Sequence, residues 1–395
     1  MPLSGGKSDY LLRIFLMRTR ILFLALALTL TQTPAVEANK HTKSKSAPAI
    51  GPTGGYVYRY VANKQQRKDA NNKWQSKDSR KENSFDPIRV AAYKSINSLA
   101  VDPSHANIEF EDQIRASFPK EIAALIRLQS KEVAKRFSPL FDNKVKIKLI
   151  GVTEKDQDFV KNELPKIVDQ NGYGGDFLQD LLKDYVSRER FYYRGGTGGG
   201  SAGYEDNKGY AYYLAHTSTF AKTETFWPEV APHEMTHVLQ GVLTRDSGNM
   251  YREGDSRSKV TGHYIEGSAN TIGMALGFAN LGWYSDEMDK LLARDIKSFK
   301  SKVSMNSTAD AVKLIKEIEG RDSDLRGQLS YSAGQIVWEY YIATYGINKF
   351  IEFMKNMKDT ETFNDNLKKT IGKDREAFYQ EAGAYLLKNW QRLSK

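Results

Sequence analysis

The chain has 395 residues, of which 40% are hydrophobic and 11% are aromatic. This composition supplies a substantial buried core and excludes a wholly disordered protein. The absence of cysteine excludes disulfide bonds, thiolate metal sites and a cysteine nucleophile. Any metal site must therefore use His, Asp or Glu, and the chain has only six histidines.

The net charge of +10 is concentrated at the N-terminal end. Residues 1–38 carry four basic and two acidic residues, and residues 39–85 carry eleven basic and three acidic residues. Residues 86–395 are therefore formally neutral. A folded domain that binds nucleic acid specifically is not expected from this distribution.

Residues 1–38 have the pattern of a secretory signal peptide. The apolar run Ile21–Leu30 follows basic residues and is too short to span a bilayer comfortably. Val36 and Ala38 fit the small-residue pattern that precedes a cleavage site. Met17 is an alternative start, and an uncleaved anchor is the alternative to cleavage. We expect a secreted protein, periplasmic or extracellular, without a transmembrane helix in its mature chain.

Residues 39–85 are predicted to be a basic, disordered linker or tail. They are rich in Lys, Asn, Gln and Ser, a composition that is typical of solvated segments. A second interpretation is an electrostatic tether to an anionic envelope surface. The sequence leaves open whether this segment is removed as a propeptide.

Residues 86–222 are predicted to form an α+β lobe. Phe118–Leu140 has apolar residues at helical spacing, and Lys144–Val152 alternates as a half-buried strand. The glycine-rich segment Arg194–Tyr204 lacks the residues of a phosphate-binding loop and favours a flexible loop. Gly209–Thr217 then reads as a strand along the edge of a cleft.

Residues 223–395 are predicted to form a helical lobe, because almost all of the apolar periodicity there is helical. The HExxH segment at residues 233–237 makes this the expected zinc-binding catalytic lobe. Strands that precede helices indicate an α+β architecture. We therefore expect a small lobe that contains a sheet, a mostly helical second lobe, and the active-site helix between them.

The segment His233-Glu234-Met235-Thr236-His237 has the HExxH pattern. On a helix, His233 and His237 lie on one face and can bind one zinc ion. Glu234 lies beside them, where it can take a proton from water. Pro228 and Pro232 fit only the first turn of a helix, so the helix is expected to begin near them.

A catalytic zinc site normally has three protein ligands. Gln240 and Leu243 stand where the metzincin pattern needs Gly and His, so that class is excluded. Glu266, at the start of a helix rich in small residues, is the candidate third ligand. Asn270 follows it by four residues and is predicted to orient a ligating histidine by a hydrogen bond.

These motifs together resemble the gluzincin, or peptidase MA-like, zinc metallopeptidases. HEMTHVLQ resembles the first active-site helix of the family, and YIEGSAN resembles its E-G-x-A helix with the third ligand. Leu329–Met354 resembles the later helix pair of the family. HEMTH with I-E-G-x-A is also similar to plant basic secretory proteins. The resemblance covers roughly residues 200–390 and is strongest in the two zinc segments.

The resemblance implies a thermolysin-like catalytic fold, one zinc ion per chain and hydrolysis of peptide bonds. It implies that His233, His237 and Glu266 are the zinc ligands and that Glu234 is the general base. The downstream Tyr-x-x-Gly segment of the family matches Tyr331, which we expect to open a helix beside the zinc and to stabilise the oxyanion. Tyr264 is the rival for that role.

The sequence thus predicts a secreted zinc peptidase that acts on a peptide or protein substrate. The alternative is an envelope or surface-binding protein on an inactive zincin-like scaffold, attached through its basic segment. A third interpretation is an envelope-binding module whose histidines are incidental. The intact HExxH pattern and the third acidic residue favour the enzyme.

Overall fold

The computed structural model describes residues 57–61, 64–69, 73–168, 200–205, 208–219, 221, 228–244, 260–321 and 323–395. The predicted signal segment, residues 1–38, lies outside the described residues, as do residues 39–56 of the predicted basic segment.

The described elements follow the expected order, with strands first and helices afterwards. The strands are β1 (Tyr58–Val61), β2 (Lys64–Lys68), β3 (Trp74–Gln75), β4 (Ile108–Ile114), β5 (Val145–Val152), β6 (Gly200–Glu205) and β7 (Tyr210–His216). The helices are α1 (Pro87–Asn97), α2 (Lys120–Phe137), α3 (Gln157–Asn162), α4 (Leu164–Ile167), α5 (Val230–Thr244), α6 (Ser268–Gly277), α7 (Leu281–Phe299), α8 (Thr308–Glu317), α9 (Asp324–Tyr345), α10 (Ile347–Asn356), α11 (Phe363–Ile371) and α12 (Arg375–Leu393).

A four-stranded sheet forms the first layer of the fold, in the order β4-β5-β7-β6. β4 and β7 both pair with β5 in parallel, whereas β6 pairs with β7 antiparallel. α2 connects β4 to β5 and buries an apolar face that includes Ile122, Ile126 and Val133. The predicted α2 helix, the β5 and β7 strands and the α+β class are confirmed.

Part of the glycine-rich segment is a strand, so the prediction of a flexible loop is wrong for Gly200–Tyr204. These residues belong to β6, one of the two edge strands of the described four-stranded sheet. A Cβ atom at position 203 would lie 3.2 Å from the ring of Tyr212, so glycine lets the two strands pair without displacing that ring. Periodicity does not detect such a strand, because glycine contributes no apolar side chain.

The helical layer shares one hydrophobic core with the sheet. Trp338 of α9 is fully buried, and its ring lies 5.2 Å from Tyr264, 5.3 Å from Phe350 and 5.5 Å from Phe353. α5 lies between the layers, against β6 and β7 on one side and α6 on the other. None of the helices in the described ranges is both long and apolar enough to cross a membrane.

The structure differs from the expectation of disorder at Tyr58–Val61, Lys64–Lys68 and Trp74–Gln75. β1, β2 and β3 form an antiparallel sheet there that packs on α7. Tyr58 is 4% exposed and donates a hydrogen bond to Glu287 Oε1 at 2.9 Å, and Arg67 pairs with Asp286 at 2.6 Å. Composition could not predict this, because the partners of these polar side chains lie more than 200 residues away in the sequence.

We expect the β1–β3 sheet to contribute to the stability of the fold. A variant that begins at Ser84 should have a free energy of unfolding about 2–4 kcal/mol lower than a variant that begins at Val57, because it loses the burial of Tyr58 and its hydrogen bond. Urea denaturation of the two variants measures this difference. Equal stability would show that the sheet contributes nothing to the folded domain.

Candidate metal centre

α5 places both histidines of the HExxH segment on one face. Pro232 lies in the first turn of this helix, where its missing N–H costs no hydrogen bond. His233 and His237 follow, one turn apart, with ring centroids separated by 4.7 Å. Their Nε2 atoms face each other at 3.0 Å. The helix predicted from the sequence thus brings two imidazole nitrogens to one point.

Glu266 completes the group. It lies in a π-helical turn, His263–Gly267, which directly precedes α6. Its Oε2 atom is 3.5 Å from Nε2 of His233 and 3.5 Å from Nε2 of His237. The carboxylate is buried, with a side-chain exposure of 6%. His233, His237 and Glu266 are therefore a group that could hold a metal ion.

The spacing of the three donor atoms fits zinc. Tetrahedral zinc with ligand bonds of about 2.0–2.1 Å holds its ligand atoms about 3.3–3.4 Å apart. The separations here are 3.0, 3.5 and 3.5 Å. Glu266 Oε2 is buried and has no hydrogen-bond partner among the described residues. Burial of a carboxylate oxygen without a hydrogen bond costs free energy unless a cation lies beside it. This is what a metal ligand would show.

Gln240 fixes the tautomer of His237. Its Nε2 donates to the backbone oxygen of Ile265 at 3.0 Å and to Ser268 Oγ at 2.9 Å. Because a carbonyl oxygen can only accept, the amide nitrogen must face Ile265, and the amide oxygen therefore faces His237. His237 Nδ1–H donates to this oxygen at 2.8 Å, which leaves Nε2 with the lone pair that binds a metal.

The predicted role of Asn270 differs from what the structure contains. Asn270 is buried on α6, and no hydrogen bond joins its side chain to His233 or His237. The four-residue spacing places Asn270 on the same helix face as Glu266, but it does not determine how far the amide lies from the two histidines. Gln240, three residues after His237, makes the contact instead. The i, i+3 spacing of these two residues was a signal that the sequence already contained.

Arg321 pairs with the same carboxylate on its other side. Its Nη1 atom lies 2.5 Å from Glu266 Oε1, and the arginine side chain is 11% exposed. Burial by itself would raise the pKa of the Glu266 carboxyl, but Arg321 and the two histidines outweigh it and hold that pKa well below its usual range. Glu266 therefore stays ionised at neutral pH. No sequence pattern predicted Arg321.

Glu234 is buried beside the group, with an exposure of 6%. Burial raises the pKa of its carboxyl, against the lowering effect of His233 and His237. A carboxylate with a raised pKa is a stronger base, as proton abstraction from water requires. Glu234 is not one of the three grouped ligands, which suits a residue that handles the proton rather than the metal.

Tyr331 lies beside the candidate ligand His233, and Tyr264 lies in the aromatic core instead. The Tyr331 ring stacks on His233, with centroids 5.9 Å apart and planes 13° apart. Burial, together with the charge of Glu266, raises the pKa of its phenol well above 10, so the hydroxyl keeps its proton. Tyr264 instead packs in the aromatic core on Trp338. α9 begins at Asp324, so Tyr331 does not open this helix as the sequence suggested.

Two glycines allow the helices to cross closely enough to form the group. A Cβ atom at Gly273 of α6 would lie 2.8 Å from the backbone of His233. A Cβ atom at Gly267 would lie 2.3 Å from the backbone of Gly334 on α9. Larger side chains would push α6 away from α5 and α9. The small residues at these two positions are therefore required for the close crossing of the helices.

Comparison with known proteins finds no matching family model, curated protein or solved structure at a significant level.

We expect Gln240→Leu to weaken zinc binding. The substitution removes the acceptor that holds His237 Nδ1–H, and loss of such a partner typically costs about 10–100-fold in metal affinity. Competition with a chromophoric chelator measures the dissociation constant. Asn389→Leu is the matched control, because Asn389 is also buried, with 2% exposure against 7%, and among the described residues its amide bonds only to Tyr385 and Arg392 of α12. Equal losses in the two variants would contradict a role for Gln240 at the site.

Proposed function

We propose that this protein is a zinc-dependent hydrolase that cleaves peptide bonds. The observation that carries the proposal is the buried group of His233, His237 and Glu266, with Glu234 on the same helix. Three protein ligands of the His-His-Glu type are the donor set of catalytic rather than structural zinc sites. The resemblance of the surrounding segments to gluzincins supports a peptide as the substrate class.

In this proposal His233, His237 and Glu266 hold one zinc ion, which when bound polarises the scissile carbonyl and acidifies water. Glu234 accepts the proton from the attacking water and passes it to the leaving amine. Tyr331 donates its phenolic O–H to the oxygen that becomes negatively charged in the transition state. The edge strand β6 packs against α5, and an extended peptide could pair with it by backbone hydrogen bonds.

We further propose that the protein is secreted and that its N-terminal segment binds an anionic envelope surface. The pattern of residues 1–38 supports the first statement. The second is supported by residues 39–68, which contain seven lysines and arginines and no acidic residue. Arg59 and Lys68 flank the ring of Trp74 on the β1–β3 sheet. An inactive surface-binding protein is the second candidate function, and an activity assay separates the two.

Glu234→Gln should retain zinc and the fold but lose hydrolysis. The amide cannot accept the proton of water, and removal of a general base typically lowers the rate about 10²–10⁴-fold. Turnover of a mixed-peptide library, with and without a chelator, measures the loss.

Glu229→Gln is the matched control for this variant. Burial raises the pKa of Glu229 to about 8, so its carboxyl is largely protonated at pH 7 and an amide replaces it with little change. Full activity is expected for Glu229→Gln. Activity of Glu234→Gln close to that of the unaltered protein would refute the mechanism.

Tyr331→Phe should lower kcat with little change in KM and with zinc retained. This pattern is expected when a hydrogen bond is made only in the transition state, and loss of one oxyanion donor typically costs about 10²–10³-fold. Steady-state kinetics on a short peptide measure both constants.

Tyr264→Phe is the comparison for the Tyr331 variant, because its buried hydroxyl has no hydrogen-bond partner among the described residues. It should keep the kcat of the unaltered protein. If Tyr264→Phe lowered kcat and Tyr331→Phe left it unchanged, the oxyanion role would belong to Tyr264.

A further inference from the structure

We propose that Arg321 is a positioning residue that restricts Glu266 to one ligating oxygen and thereby keeps a coordination position of the metal open. The proposal rests on the proposed function in one respect, namely that the His233, His237 and Glu266 group binds zinc. It adds a residue outside every recognised motif and assigns it a specific effect on coordination geometry.

The two oxygens of Glu266 face different partners. Oε1 lies 2.5 Å from Nη1 of Arg321, and Oε2 lies 3.5 Å from Nε2 of each histidine. Both side chains of the ion pair are nearly buried, with exposures of 11% for Arg321 and 6% for Glu266. Water screens an ion pair only weakly in such surroundings, and removal of either side chain leaves the charge of the other buried and uncompensated. Oε1 is therefore committed to the guanidinium.

The segment that carries Arg321 is fastened to the segment that carries Glu266. The backbone N–H groups of Gly262 and His263 donate to the backbone oxygens of Glu319 and Ile318, at 2.7 and 3.0 Å. The Arg321 side chain lies directly over Gly262, where a Cβ atom would be 2.6 Å from its Cγ. These contacts fix the position of Arg321 relative to the π-helical turn. Backbone hydrogen bonds therefore keep the guanidinium next to Glu266.

This arrangement has a consequence for metal binding. A zinc carboxylate ligand can bind through one or both oxygens, and catalytic zinc needs a position free of protein donors. If both oxygens of Glu266 bound the ion, the second would occupy that position. Because Arg321 holds Oε1, the group offers three donor atoms: two imidazole nitrogens and one carboxylate oxygen.

A role for Arg321 in binding the substrate directly is less consistent with its surroundings. Its side chain is 11% exposed and already paired. The guanidinium carbon also lies 5.9 Å from the ring centroid of Tyr331, within the range of a cation–π contact. The arginine is therefore enclosed between the third ligand and the tyrosine that we assign to the oxyanion.

The test compares the full-length protein with Arg321→Met, which has a similar length and no charge. Zinc affinity is measured by chelator competition, and the visible spectrum of the cobalt-substituted protein reports the coordination number. We expect a zinc dissociation constant about 10–100-fold higher. We also expect weaker cobalt bands in Arg321→Met, because a second carboxylate oxygen raises the coordination number above four.

Arg67→Met is the matched control, because Arg67 also forms a nearly buried ion pair, with Asp286 at 2.6 Å and a side-chain exposure of 15%, and contacts none of the three ligands. It should retain both the affinity and the spectrum of the unaltered protein. If Arg321→Met does not fold, Arg321→Gln replaces it, since it keeps an N–H donor near Glu266 and should show the same changes at reduced size.

The outcomes separate this proposal from the proposed function. An unaltered protein that binds no zinc would overturn both. An unaltered protein that binds zinc, together with a folded Arg321 variant whose affinity and cobalt spectrum are unchanged, would overturn only the role of Arg321. Weaker bands in both Arg321→Met and Arg67→Met would mean that any lost ion pair disturbs the site, and the proposal would fail.

Discussion

The ionised carboxylate of Glu266 is the constraint on which the rest of the site depends. A buried carboxylate is strongly destabilising unless positive charge compensates it. Arg321 supplies that charge on one side, and the two imidazoles stand on the other. Burial would lower the pKa of the His237 imidazole, yet the neighbouring carboxylates of Glu266 and Glu234 help to raise that pKa to about 9. A site that attracts a proton so strongly has the negative potential that favours a divalent cation.

The backbone around this carboxylate is shaped by close helix crossings. Gly273 lets α6 approach the backbone of His233, and Gly267 lets the π-helical turn approach α9. Gln240 then joins α5 to that turn through Ile265 and Ser268. The Gln240 side chain is itself buried and held by these hydrogen bonds, so it fixes the position of His237 relative to the turn that carries Glu266. Such preorganisation is what a metal site needs to hold three donors at fixed distances.

The β1–β3 sheet is linked by hydrogen bonds to the residues just before α5 and to the end of α6. Gln129 of α2 donates both to the hydroxyl of Tyr60 and to the backbone oxygen of Pro228, just before α5 begins. Gln65 donates to the Tyr60 hydroxyl and to the backbone oxygen of Gly277 at the end of α6. A basic segment that composition assigns to solvent therefore includes strands whose side chains form hydrogen bonds at the start of α5 and the end of α6.

The sequence alone determined the features that depend on local periodicity. The spacing of His233 and His237 needs only the 3.6-residue repeat of a helix, and the α+β order needs only the succession of period-two and helical patterns. Glu266 could be selected because HExxH needs one further acidic ligand. Tertiary structure alone decided the rest. Arg321 and the partners of Tyr58 come from distant parts of the chain, and only the packed structure shows that Asn270 makes no hydrogen bond to His233 or His237. A long-range ion pair or hydrogen bond leaves no periodic trace in the sequence, because it arises only when separate segments pack together.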